Sequence, residues 1–164
     1  MTRPKRDQPL VSSVLDRLLD DQPDATGENI ETQYQVLREL KRSVRRDLEN
    51  LLNTRWRCTT WPEDLKELER SLVNYGVPDV TGTDLGSKER RQDLLTVLSA
   101  IVERFEPRLK DVEITMLDNA EPLDRVLRFR IRAMLHVEPE PEPVTFDSTL
   151  QPTTGNVEVK GTDR

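Results

Sequence analysis

The stretch Val126-Leu-Arg-Phe-Arg-Ile-Arg-Ala-Met-Leu-His-Val137 alternates apolar and polar residues almost without a break. Leu127, Phe129, Ile131, Ala133, Leu135 and Val137 share one side at a period of two, and Arg128, Arg130, Arg132 and His136 share the other. A helix would scatter these residues around its surface, whereas a strand sorts them into a dry and a wet face. The segment therefore reads as one strand of an antiparallel sheet with a single solvated face. Upstream, Val112, Ile114 and Met116 alternate with Glu113 and Thr115 in a shorter strand. Downstream, Glu138-Pro-Glu-Pro-Glu-Pro143 cannot join a ladder at its prolines. It links the long strand to Val144-Thr-Phe146, and a last short strand lies at Asn156 to Lys160.

The N-terminal side of the chain keeps a different period. From Gln33 to Arg55, Leu37, Leu40, Val44, Leu48 and Leu51 recur at three and four residues, which lays one apolar stripe along a helix. Thr60-Trp-Pro-Glu63 has the spacing of a capping box and predicts a short helix that turns Leu65, Leu68 and Leu72 to the core. Gly76 closes it in the left-handed conformation and Pro78 prevents its continuation. After a loop containing Gly82 and Gly86, Ser87 is placed to cap another helix. Leu94, Leu98, Ile101 and Phe105, joined by Leu95 and Val102, are its buried line. Pro107 ends it by removing a backbone donor. The fold class expected is α+β, helices first and a small antiparallel sheet from the C-terminal half.

Residues 1–32 read as an arm and residues 33–164 as a single α+β domain. The arm combines Pro4, Pro9 and Pro23 with one apolar patch in which Val11, Val14, Leu15, Leu18 and Leu19 share a helical face. That patch suits docking on its own domain or on a neighbour.

With a net charge of -6 the chain is a poor general nucleic-acid binder, because phosphate contacts need a basic surplus or a segregated basic face. Arg38, Lys41, Arg42, Arg45 and Arg46 form such a stripe on the first helix. It is read either as a contact for an acidic partner or as a solvated face balanced by Glu39, Asp47 and Glu49. Cys58 is the only cysteine, so no intrachain disulfide and no multi-cysteine metal site is expected. The basic N-terminus is followed by no apolar stretch of signal length, and Leu94 to Val102 is too short to span a bilayer.

The motifs name no active site. A dyad of Cys58 and the single histidine, His136, would need a proximity that the sequence gives no sign of. Glycoside hydrolysis needs two carboxyl groups across a scissile bond. Glu106 with Asp111, Asp118 or Asp124 would supply a pair, but carboxylates are too frequent here for any pair to stand out. No catalytic residue, cofactor or metal is assigned. By themselves, Glu106 and Arg108 read as an exposed charge pair straddling a helix end, worth about 0–1 kcal/mol.

Four ordered blocks nevertheless resemble the TssE family of type VI secretion baseplate subunits, relatives of the small wedge protein of contractile phage tails and historically labelled lysozyme-like. They are Ser13-Val-Leu-Asp-Arg-Leu-Leu-Asp20, Leu40-Lys-Arg-Ser-Val-Arg-Arg-Asp-Leu-Glu-Asn-Leu-Leu-Asn-Thr-Arg55, Ser71-Leu-Val-Asn-Tyr-Gly-Val-Pro-Asp79 and Glu106-Pro107-Arg108. Phe129-Arg-Ile-Arg-Ala133 and Pro143-Val-Thr-Phe-Asp147 look like the family's sheet.

The resemblance implies a non-enzymatic baseplate subunit bound to TssF and TssG, with TssK in the wider baseplate and the contractile sheath above. It implies that Glu106, Pro107 and Arg108 contact the helical core of the wedge. Their truncation is then expected to weaken assembly while leaving thermal stability nearly unchanged. It places the protein in the cytoplasm, at the inner-membrane face through the assembled baseplate, with no membrane insertion and no nucleic acid. The alternatives are a lysozyme-like peptidoglycan-cleaving enzyme and an unrelated protein-binding module.

Overall fold

A computed structural model describes residues 18, 33–56, 62, 64–81, 87–118, 126–137 and 140–161. The expected arm, Leu18 excepted, lies outside the described residues. Helix α1 spans Gln33–Asn53 and helix α2 spans Lys88–Phe105. Four strands come after them: β1 Leu109–Leu117, β2 Leu127–Leu135, β3 Glu142–Gln151 and β4 Asn156–Gly161. They form one antiparallel sheet in the order β1-β2-β3-β4, so the fold class is α+β as expected.

One face of the sheet is covered by the two helices, α1 against β4 and α2 against β1. The stripe read on α1 is the buried one, with Val44 and Leu48 fully enclosed. In β2 the alternation holds throughout, with Leu127, Phe129, Ile131, Ala133 and Leu135 all in the core. Each of the larger side chains contributes roughly 1.5–3 kcal/mol by leaving water. The amide of Asn53 adds a polar tie between α1 and β4, donating to Val157 O at 2.7 Å and accepting from Val157 N at 2.9 Å. Ser87 caps α2 as expected, its hydroxyl accepting from Arg90 N at 3.2 Å.

The structure corrects the expectations at three places. Strand β1 begins at Leu109, earlier than its alternation indicates, because the pairing register shifts between Lys110 and Glu113. Asp111 adopts a φ of 53° there, so the extra residue lets Leu109 and Val112 both face inward although three positions apart. Strand β3 runs on to Gln151 instead of stopping at Phe146. Its inward face carries Ser148, a buried polar residue that interrupts the apolar pattern, and whose hydroxyl has no partner among the described residues.

The third correction concerns the short helix before Gly76. Thr60, Trp61 and Glu63 of the capping box lie outside the described residues. Between Leu65 and Tyr75 the chain makes two 3-10 turns, Lys66–Arg70 and Leu72–Asn74, separated at Ser71 in extended conformation. Three residues per turn with a break between cannot carry a 3.6-residue stripe. Leu65 and Leu72 accordingly face solvent, 47% and 87% exposed, instead of the core. Gly76 does take a positive φ, 115°, and a Cβ there would lie 2.5 Å from Thr54 O. That close approach lets Val77 pair with Arg55 beyond the end of α1.

Candidate partner-binding site

The triplet Glu106-Pro107-Arg108 sits where helix α2, strand β1, the end of β2 and helix α1 meet. Helix α2 ends at Phe105, and Glu106 is its C-cap, its N–H donating to Val102 O at 2.8 Å. Pro107 then turns the chain, and the N–H of Leu109 donates back to Glu106 O at 3.0 Å. The carbonyl of Arg108 accepts from the N–H of His136 at 2.7 Å, which fastens the turn to the end of β2. Glu106 and Arg108 are thus held by backbone on both sides before their side chains are considered.

The side chains close a network instead of projecting into solvent. Arg108 grips Glu106 in a two-pronged pair, Nε to Oε1 and Nη2 to Oε2, both at 2.6 Å. Its Nη2 also donates to Asp47 Oδ2 at 2.6 Å and its Nη1 to Ser43 Oγ at 3.4 Å. Ser43 and Asp47 lie one turn apart on α1, so both fall on the same flank of that helix. Glu106 is only 4% exposed and Ser43 is also buried. The guanidinium's basicity is held above the ordinary arginine range, chiefly by its hydrogen bonds to Glu106 and then to Asp47, against the opposing effect of burial.

This overturns the reading of Glu106 and Arg108 as an exposed pair. Surface pairs are weak because water competes for both ions, but removing one member of a buried pair strands the other and typically costs about 3–5 kcal/mol. The triplet therefore braces the fold, joining α1 to the α2–β1 turn. Asp47 is likewise more than an intrahelical partner of the basic stripe; it accepts from Arg46 Nε at 3.3 Å and from Arg108 across the fold.

Around this brace lies an outward surface. Pro107 is exposed, and the Arg108 side chain keeps 26% of its surface in water. Of the five guanidinium N–H groups, one on Nη1 has no acceptor among the described residues. The segment of 3-10 turns packs beside the same helix end: Tyr75 meets Phe105 edge to face at 5.3 Å, and Arg104 Nη1 donates to Glu69 O at 3.4 Å. Burial, and then the charges of Asp47 and Glu106, hold the Tyr75 phenol above its usual range. Exposed Leu65, Leu72 and Val73 belong to this segment.

Ser43, Asp47 and Tyr75 are the members that sequence reasoning missed. Only the spacing of Ser43 and Asp47, four apart beside the apolar stripe, gave a local sign. Of the other candidates, His136 is exposed and contributes its backbone, and Cys58 lies outside the described residues. No group of three or more potential metal ligands comes together among the described residues. Both oxygens of Glu106 accept from Arg108. No helix among the described residues is long and apolar enough to cross a membrane.

Comparison with known proteins gives one family. The family described as "Baseplate wedge protein gp25" matches residues 38–140, which include most of α1, the triplet and β2. Among solved structures, a chain from "The baseplate complex from the type VI secretion system" is similar over 70% of this chain and 96% of that chain, at 24% identity and a TM-score of 0.49. No protein of curated function gives a significant match.

Proposed function

The chain belongs to the baseplate wedge protein gp25 family, and from that premise we propose that it is the TssE-type subunit of a type VI secretion baseplate, a structural and non-enzymatic part of the wedge. Its partners are TssF and TssG, with TssK in the wider baseplate and the contractile sheath beyond. It works in the cytoplasm, at the inner-membrane face through the assembled baseplate. The domain that does so is residues 33–164, with residues 1–32 as an arm.

The observation that carries this reading is the braced turn itself. Exposed Pro107 and an Nη1 donor of Arg108 that has no acceptor among the described residues sit on this support, and the segment that carries exposed Leu65, Leu72 and Val73 is tied to the same helix end through Tyr75–Phe105 and Arg104–Glu69. Preformed apolar surface with a fixed charged donor is what a stable protein interface uses, because little ordering remains to be done on binding. In this reading Glu106 acts from inside, by orienting Arg108, while Pro107 and Arg108 meet the wedge core.

Co-purification with TssF and TssG tests it, using wild type, the Leu72→Ser/Val73→Ser double variant and Arg108→Lys. The paired serines lie on exposed positions and leave the brace intact, so loss of complex by a fully folded double variant is the expected result. A complex that the double variant retains, or that wild type never forms, contradicts the assignment of this surface.

A further inference from the structure

On the flank of α1 away from Ser43 and Asp47, Tyr34, Arg38 and Arg42 recur every four residues, so their side chains form one row. All three are exposed, Tyr34 by 75%. Their side chains make no hydrogen bond or ion pair to any described residue. The neighbouring cations are engaged in the fold: Lys41 reaches Glu142 at 3.1 Å, Arg45 reaches Val159 O at 3.1 Å, and Arg130 grips Asp147 at 2.6 and 2.9 Å. Arg38 and Arg42 thus border a groove where cations outnumber the carboxylates Glu39 and Glu142, in a chain whose net charge is -6. A lone exposed tyrosine is ordinary, but one in line with two uncommitted arginines has the side-chain composition that protein interfaces concentrate.

We propose that this row is a docking site for an acidic helix of a partner protein, lying alongside α1 with carboxylates on Arg38 and Arg42 and an apolar side chain on the ring of Tyr34. The spacing fits: acidic residues four apart on a helix stand about 6 Å from each other, as the two arginines do. The backbone favours a helix over an extended segment. Around Arg38 and Arg42 the N–H and C=O groups of α1 are bonded within their own helix, so an extended chain would find no backbone partner on this face, whereas a helix satisfies its own. Nucleic acid is the poorer occupant, since Glu39, Glu142 and the chain's overall charge oppose a run of phosphates.

The row is separate from the braced turn, and the proposal does not depend on which proteins meet that turn. The test is fluorescence anisotropy, with the full chain, of a labelled helical peptide that repeats Glu-Ala-Gln-Leu and so sets a row of carboxylates beside a row of leucines. A peptide with proline for each alanine keeps the charge but cannot form the helix. A peptide with lysine for each glutamate and an oligothymidylate of equal charge complete the controls. The acidic helix is expected to bind with an affinity that falls with salt, and to lose at least about tenfold in the Arg38→Glu/Arg42→Glu variant, equivalent to about 1.4 kcal/mol. Tyr34→Ala should give a smaller loss, and both variants should unfold at the wild-type midpoint. No binding of the acidic helix through millimolar concentrations overturns the proposal, as does equal binding of the proline or the lysine peptide, tighter binding of the oligonucleotide, or an affinity unmoved by either variant.

Discussion

Along α1, Ser43 and Asp47 on one flank meet the turn at Glu106 and Arg108, while Arg38 and Arg42 on the other look into an open groove. Both flanks are polar borders of the same apolar stripe, and both bring charge from α1 toward the sheet. They differ in burial. On the closed flank a carboxylate only 4% exposed is gripped at 2.6 Å, so its charge is part of the fold. On the open flank exposed guanidiniums keep their water, so their charge adds little to folding and stays available. Charge type alone does not separate a brace from a docking surface; the accessibility of the partner ion does.

The largest expected effect is on the closed flank. Arg108→Ala leaves Glu106 buried and unpaired, and should lower the unfolding free energy by about 3–5 kcal/mol in urea denaturation. A loss below about 1 kcal/mol would return the pair to the exposed class and erase the contrast. The expectation that truncating the triplet spares stability is thereby replaced; assembly and folding should both suffer.

A smaller effect concerns Tyr75, which lies against the same flank. Its folded pKa is raised above 10.0, by burial first and then by Asp47 and Glu106, so the folded state keeps a proton that the unfolded state has lost. Its contribution is complete below about pH 10 and is lost as pH rises from there through the folded value. Stability of the wild type should therefore fall more steeply above about pH 10 than that of Tyr75→Phe. Parallel curves would mean that the phenol does not sense the closed flank.

On the open flank, Arg38→Ala and Arg42→Ala should each change the unfolding free energy by no more than about 0.5 kcal/mol. Lys41→Ala removes a half-exposed ion pair to Glu142 and should cost about 0.2–1 kcal/mol, diminishing as salt is added. A larger, salt-insensitive loss from any of the three would show that the groove is part of the brace and not a free surface.

The range of each interaction decides how legible it is in the sequence. The stripe of α1 and the alternation of β2 are local periodicities, and they read directly. The bulge at Asp111, the buried Ser148 and the 3-10 turns around Ser71 each interrupt a period, so the bounds of β1 and β3 and the placement of Leu72 are not readable from it. Pro107 marks the helix end correctly, yet nothing local shows that Arg108 turns inward. Its partner Asp47 lies 61 positions away, and only the packing of α1 beside the α2–β1 turn brings them together.

The most direct measurement is a double-mutant cycle on unfolding free energy with Asp47→Ala, Arg108→Ala and the two combined. A coupling of about 1–3 kcal/mol is expected if the two side chains join α1 to the turn as one network. Strictly additive losses would contradict it, leaving the brace to Glu106 alone and separating the closed flank from the surface proposed to meet the wedge.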